Sequence, residues 1–159
     1  MTKEEKQLVM IDLAGRLPYH NLKCKLDLKG YLEWNPEYKK KFDIAERVKP
    51  SLFDEMSNKE YIFYSIPTWD RVIFLNFEDY DYAVPVEFVK PILRPMSSMT
   101  DEEAKEFEFI GWRVDELADK EPWAHCGSIE HVTDGLNWLN EKGFDYRHLI
   151  EKGLAEEKK

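Results

Sequence analysis

Cysteine is scarce in this chain of 159 residues, which contains only Cys24 and Cys126. Two cysteines are too few to form the disulfide framework of a small secreted domain. We therefore predict that both are reduced thiols and that the protein is cytoplasmic. A chain of this length can bury enough surface to fold without a metal ion or a disulfide, so the composition calls for no cofactor.

Long apolar runs are missing too, because no stretch approaches the roughly 18 apolar residues of a transmembrane helix. The first residues, MTKEEK at 1–6, are charged and do not contain the apolar stretch of a secretion signal. The sequence therefore predicts no membrane partner.

Positive charge is in the minority, since 23 Lys and Arg residues stand against 32 Asp and Glu residues and the formal net charge is −9. Attraction to nucleic-acid phosphates requires an excess of positive charge, so nucleic acid is a disfavoured partner. One local patch favours it: Lys23, Lys25 and Lys29 fall on one face of a predicted strand, and further lysines follow at 39–41. The acidic balance also leaves mimicry of DNA as an alternative.

The first half of the chain predicts one helix followed by short strands. At residues 4–17 apolar side chains recur every three or four positions, which is typical of one buried helix face. Residues 22–28 alternate apolar and charged side chains, the pattern of a half-buried strand. For residues 37–58 we predict a long excursion with one or two short helices, interrupted at Pro50. Further strands are predicted at 61–66, 71–75 and 84–88.

The second half predicts helices. Thr100 and Glu103 fit a capping box that would begin one helix. A second helix is expected from Ser128 to Gly143, and a last short one at residues 145–153.

Strands that are grouped together, rather than alternating with helices, predict an α+β fold. We expect an N-terminal helix, a small and strongly bent antiparallel sheet, and C-terminal helices. Short strands punctuated by Gly and Pro also fit closure of that sheet as an SH3-like barrel. The N-terminal helix and the β unit would occupy residues 1–96. A helical region at 97–159 would pack on them to form one compact unit.

Five phrases in the sequence carry a family resemblance: RLPY at 16–19, KPILRPMSSMT at 90–100, WLN at 138–140, FDYR at 144–147 and LIEKGLA at 149–155. Together they resemble uncharacterised proteins of bacterial phages, prophages and related mobile elements. Members often carry Tyr where this chain has Ile92 and Gly where it has His148, and residues 35–59 are long for the family. The resemblance implies a phage or mobile-element context. It implies no activity and therefore no catalytic residue.

Reactive side chains do not form a specific motif. His125, Cys126 and His131 are possible zinc ligands, but structural zinc sites have four ligands with paired short spacings. Cys126 and His131 could also form a nucleophilic pair, yet the chain shows no oxyanion loop or orienting partner. The acidic residues within 78–81 fit a solvated turn better than a cation site. We therefore assign no catalytic, metal-binding or cofactor-binding residue.

Aromatic residues make up 14% of the chain, enough to supply a contact surface as well as a core. In an alternating strand Phe63 would point inward and Tyr64 outward. Arg94, between two prolines, would either pin the strands to the helices or face an acidic partner, and the structural role is favoured. Arg147 would be exposed or paired with an acid. The candidate interaction surface comprises Tyr64, Trp69, Tyr80, Tyr82, Arg94 and Arg147.

These features favour a non-enzymatic protein-binding or assembly module of phage or mobile-element origin, with an unknown protein partner. The alternative is a nucleic-acid-associated accessory protein or a DNA mimic. A small hydrolase that uses Cys126 or the acidic residues is a third and weaker hypothesis.

Overall fold

The computed structural model describes residues 1–19, 22–68, 71–75, 83–109 and 129–158. Its helices are α1 (Lys3–Arg16), α2 (Leu28–Trp34), α3 (Pro36–Val48), α4 (Leu52–Asn58), α5 (Asp101–Phe109) and α6 (Ile129–Lys142). Its strands are β1 (Lys23–Leu26), β2 (Tyr61–Thr68), β3 (Arg71–Leu75), β4 (Val84–Pro85), β5 (Val89–Leu93) and β6 (Glu156–Glu157). Short 3₁₀ turns cover Leu17–Tyr19, Val86–Phe88 and Met96–Ser98. The predicted α+β class is confirmed.

The strands form one sheet in the order β4-β3-β2-β1-β5-β6. All neighbours are antiparallel except β5 and β6, which are parallel. The prediction of a purely antiparallel sheet is therefore wrong at β6. This strand comes from residues 97–159, which were predicted to be helical. Among the described strands β4 and β6 each pair on one side only, so these strands form an open sheet. An SH3-like closure stays a prediction.

The amino-terminal helix forms for two local reasons. At its start the Thr2 amide donates to the Glu5 carboxylate at 2.6 Å and the Glu5 amide donates to the Thr2 hydroxyl at 3.2 Å, which makes a capping box. Val9, Met10 and Leu13 form its buried face, as expected for apolar residues three and four apart. The helix predicted at 4–17 is confirmed, and its buried face rests on the sheet core.

The strand predicted at 22–28 ends early, at Leu26. The Asp27 carboxylate accepts the Gly30 amide at 3.0 Å and caps α2, so the chain turns into a helix where the alternating pattern continues. Gly30 lies inside that helix. A Cβ atom at position 30 would lie 2.6 Å from Asp27 Oδ2 and 3.2 Å from a Phe88 ring carbon. This close approach requires glycine.

The excursion predicted at 37–58 is confirmed as two helices that break at Pro50. Asn35 caps α3 by accepting the Tyr38 amide at 3.1 Å, and a proline occupies the first helical position. Tyr38 and Phe42, one turn apart, are the buried residues of α3. The opposite face of α3 is exposed.

The strand β5 was not predicted, because Pro91 within it, Pro95 just after it and its position before a helical pattern indicated a connection. Its alternating burial is nevertheless that of a strand. Of the strand predicted at 84–88, only Val84–Pro85 pairs, and a 3₁₀ turn follows.

Residues 145–153 form turns instead of the predicted helix. The Asp145 carboxylate accepts the amides of Leu149 and Ile150 at 2.8 and 2.7 Å and so holds the turn from its side chain. Gly143, with φ +77°, ends α6 as predicted.

Buried apolar side chains form two clusters. The larger one lies between the sheet and helices α1 to α4 and also receives Leu149 and Leu154 from the end of the chain. The smaller one joins α5 to α6 through Phe107, Trp138, Leu139 and Phe144. Trp138 lies between the rings of Phe107 and Phe144, with centroids 5.1 and 5.7 Å away.

Candidate functional site

A cleft of about 540 Å³ lies near the end of β5, where the chain stops pairing with β1 and begins to pair with the segment around Phe144. The antiparallel pairing of β1 with β5 ends at the pair Cys24 and Pro91. Further along, Arg94 pairs in parallel with Phe144. The cleft is lined by both strands near this point, by the carboxyl end of α6 and by residues of β6. It is therefore built from segments that are far apart in the sequence.

The walls of the cleft carry charges of both signs. Its cations are Lys23, Lys25, Arg94, Lys142 and Lys158, and its acids are Glu60, Glu141, Glu156 and Glu157. Ion pairs join Lys23 to Glu60 at 2.7 Å and Lys25 to Glu156 at 2.9 Å. The hydrogen bond from Lys23 lowers the pKa of Glu60. Because these charges largely compensate one another, the cleft suits a ligand of mixed charge better than a polyanion.

The lysine patch that favoured nucleic acid is not assembled as predicted. Lys23 and Lys25 are neutralised by their ion pairs, and Lys29 lies in α2 rather than on the strand. On α3, Lys39 pairs with Asp43 at 3.3 Å. The local excess of positive charge that phosphate binding requires is therefore reduced at the sheet.

Arg94 connects the sheet to α5. Its guanidinium makes two hydrogen bonds to the Glu103 carboxylate, at 2.7 and 2.8 Å, and another to the Ser98 carbonyl at 3.1 Å. The same group lies 4.3 Å from the centre of the Phe144 ring. The bidentate hydrogen bond from Arg94 holds the pKa of Glu103 down to about 2. These contacts give Arg94 the structural role that was favoured for it, and its side chain also borders the cleft.

Glu103 closes the predicted capping box as well. The Thr100 amide donates to the Glu103 carboxylate at 3.0 Å, and the Glu103 amide donates to the Thr100 hydroxyl at 3.2 Å. One carboxylate therefore both begins α5 and binds Arg94.

A buried ion pair, missed from the sequence, joins α1 to the carboxyl-terminal segment. Asp12 and Arg16 are almost fully buried, and Arg16 binds the Asp12 carboxylate through Nε at 2.7 Å and Nη2 at 3.0 Å. Arg16 Nη2 also donates to the Phe144 carbonyl at 2.7 Å. Arg147 Nε lies 3.4 Å from Asp12 Oδ1, so Arg147 has the acidic neighbour predicted as one of its two options. The four-residue spacing of Asp12 and Arg16, on the apolar side of a helix, is the signal that could have revealed the pair.

A second layer of polar contacts surrounds this pair. The Tyr146 hydroxyl donates to the Asn140 side-chain oxygen at 3.1 Å and accepts from Arg147 Nη2 at 2.9 Å. A Cβ atom at Gly15 would lie 3.1 Å from the Asn140 amide nitrogen. The phrases RLPY, WLN and FDYR thus meet in space, where they connect the first helix to the end of the chain.

Tyr64 is the most exposed member of the predicted interaction surface that the structure describes, with 52% of its surface accessible. It follows the buried Phe63, as the alternation predicted, and lies at a register shift between β2 and β3. Such irregularities redirect side chains at the surface of a sheet. Ile62, which pairs with Lys23, is partly exposed on the same side.

Of the other predicted surface residues, the structure describes Arg94 and Arg147. Arg94 and Arg147 make the internal contacts given above, whereas Trp69, Tyr80 and Tyr82 lie outside the described residues.

The described residues offer little reactive chemistry. The Cys24 thiol is fully buried and burial raises its pKa, so it is a poor nucleophile. His125, Cys126, the His131 side chain and the acidic residues at 78–81 lie outside the described part of the chain. Within that part, no three His, Cys, Asp or Glu side chains are placed to hold a metal ion. Nor does any described helix combine the length and apolarity needed to cross a bilayer.

No family model, curated protein or solved structure matches this chain. The phage or mobile-element family therefore stays a prediction from the quoted phrases.

Proposed function

We propose that the protein is a non-enzymatic protein-binding or assembly module, of phage or mobile-element origin, that acts in the bacterial cytoplasm. The observation that carries the proposal is Tyr64, a large aromatic side chain held half-exposed on the sheet. Tyr is enriched among the residues that dominate binding energy at protein interfaces. A strand fixes its backbone, so little further ordering is needed when a partner covers the ring.

The surroundings of Tyr64 fit a protein partner. Ile62 lies two residues away on the same strand face, and Leu22 and Tyr19 lie on the wall of the neighbouring cleft. Phe63, the residue before Tyr64, donates its amide to the Leu22 carbonyl at 2.9 Å and so joins the strand of Tyr64 to that wall. An apolar and aromatic centre with paired charges around it resembles the core and rim of a protein interface.

Nucleic acid is the weaker candidate. Base stacking would use the same exposed ring, but the lysines nearest to it are engaged by Glu60 and Glu156. A net charge of −9 would further oppose association with phosphates.

The test is affinity capture from a lysate of the bacterium that carries the gene, with the captured protein identified and its Kd then measured by calorimetry. We expect Tyr64→Ser to weaken that complex by about tenfold or more, since a central tyrosine at an interface typically contributes at least ~1.4 kcal/mol. Ile11→Ser is the matched control, because Ile11 on α1 is 53% exposed. Equal affinity of the wild type and Tyr64→Ser would reject this surface, and a capture product consisting of nucleic acid would favour the alternative.

A further inference from the structure

The exposed face of α3 combines aliphatic and basic side chains. Ile44 is 65% exposed and Val48 is 85% exposed, one helical turn apart. Lys40 lies one turn before Ile44, and Arg47 precedes Val48, so the four share the side of the helix opposite to the buried Phe42. Together with Lys41 these exposed residues define the α3 outer face.

The charge of this face differs from that of the molecule. Lys40 and Arg47 have no ion-pair partner among the residues that the structure describes. Glu37, at the start of the helix, is an acid on the same face, and Asp43 and Glu46 line an open pocket together with Arg47. A cluster of cations around two exposed aliphatic side chains thus stands on a chain whose net charge is −9.

We propose that the α3 outer face binds an acidic amphipathic helix of a partner protein. Such a helix would set apolar side chains against Ile44 and Val48, and carboxylates against Lys40 and Arg47. This arrangement is the helix-on-helix mode of recognition, with charges that select orientation. The 13 residues of α3 span about 20 Å, enough for three to four turns of the partner.

Charge complementarity selects this occupant over the others. A second copy docked through the same helix would bring Lys40 and Arg47 towards their own equivalents. A nucleic acid would place phosphates against two aliphatic side chains. A lipid surface would attract Lys40 and Arg47, but only two aliphatic side chains would enter it, which is a small apolar area for stable membrane binding.

The inference uses residues of α3, which neither line the cleft nor belong to the strand of Tyr64, so it stands or fails separately from the proposed function. Its test uses a synthetic helix of about 16 residues with a leucine stripe flanked by glutamates, and a twin in which lysines replace the glutamates. Binding of each labelled peptide to the full chain is measured by fluorescence anisotropy. We expect the acidic peptide to bind and the basic twin not to bind.

Variants locate the binding. The double variant Lys40→Glu with Arg47→Glu should weaken binding of the acidic peptide by about tenfold or more, and Val48→Ser should weaken it by several-fold. Lys90→Glu, an exposed charge reversal on β5, is the control and should bind as the wild type does. All substituted positions are exposed, and circular dichroism checks that each variant is folded.

Three outcomes would overturn the proposal. The first is no binding of the acidic peptide. The second is an equal loss in Lys90→Glu, which would show a general charge effect. The third is stronger binding, dependent on Lys40 and Arg47, to vesicles of phosphatidylserine and phosphatidylcholine or to duplex DNA, which would assign the α3 outer face to that surface instead.

Discussion

His148 has a backbone conformation that residues with a side chain rarely adopt. Its φ is +56°, in the left-handed region, within the turns that follow Phe144. The side chain is about half-exposed, and its ring nitrogen lies 3.5 Å from the Glu151 carboxylate. An exposed pair of this kind contributes little to stability. The backbone conformation therefore decides the effect of a substitution here.

We predict that His148→Gly stabilises the protein. A left-handed backbone destabilises a residue that has a Cβ atom by roughly 1 kcal/mol, and glycine is not destabilised in this way. Part of this gain is lost because glycine gives the unfolded chain more conformational freedom. The expected net increase in the free energy of unfolding is about 0.5 kcal/mol, measured by urea denaturation. His148→Ala is the matched control, since it also removes the Glu151 pair but keeps the Cβ atom. Equal stability of the two variants would contradict this explanation.

Asp12 and Arg16 show why the polar site was not predicted. Their charges place them among solvent-exposed residues by default, because burying an ion costs free energy unless a partner compensates it. The partner is a helical turn away, but the Phe144 carbonyl that completes the site is 128 residues away in the sequence. A contact between residues so far apart cannot be predicted from composition or periodicity. The structural role of Arg94 was easier to predict, because its position between Pro91 and Pro95 indicated a junction even though its partner was not known.

The helices that were predicted correctly are those whose ends are fixed by neighbouring side chains. The capping residues of α5 are three positions apart, and Gly143 directly follows α6. Local hydrogen bonds determine such ends, so the sequence contains them. By contrast, β5 contains Pro91 and becomes a strand because β1 and β6 lie on either side of it. Tertiary pairing of that kind overrides local propensity.

At residues 145–153 the opposite happened, because a regular element was predicted where the chain forms turns. A short helix was predicted to begin at Asp145 and to end at Gly153, but the buried Asp145 carboxylate accepts two backbone amides and forms a compact turn. Asp competes with helical backbone bonds in this way.

The attachment of α5 to the sheet should depend on pH. Because Arg94 holds the pKa of Glu103 at about 2, below its ordinary value near 4.5, the folded state binds the proton less tightly than the unfolded state does. The stabilisation is therefore fully present above the unfolded pKa and is lost as the pH falls from about 4.5 to about 2. Urea unfolding of the wild type and of Glu103→Gln, compared at about pH 6 and about pH 3, measures it.

The wild type should lose more stability than Glu103→Gln over that interval. Other carboxylates with lowered pKa values, such as Glu55 and Glu60, titrate in both proteins and cancel in the comparison. Identical pH dependence would show that the Arg94 pair contributes nothing to the stability of the fold.

Both ends of the described chain pack on the same sheet. The first helix buries Val9 and Leu13 in the larger core, and Leu154 enters that core from the other end. The β6 strand then adds to β5, with the Lys158 amide donating to the Leu93 carbonyl at 2.7 Å. A core built from residues so distant in sequence forms only when the long-range contacts are in place. The last turn of the chain is therefore part of the fold rather than an appendage.

We predict that Leu154→Ala destabilises the whole protein by about 2–4 kcal/mol, because it leaves a cavity where a nearly buried side chain filled the core. Urea unfolding followed by circular dichroism should show one transition at a lower urea concentration. Glu157→Ala is the control, since Glu157 is exposed in the same segment and its loss should change stability by less than about 0.5 kcal/mol. If the tail packed as a separate unit, Leu154→Ala would leave the main transition where it is in the wild type. The prediction requires instead that the transition shift as a whole, because Leu154 shares its cluster with residues of α1 and the central strands.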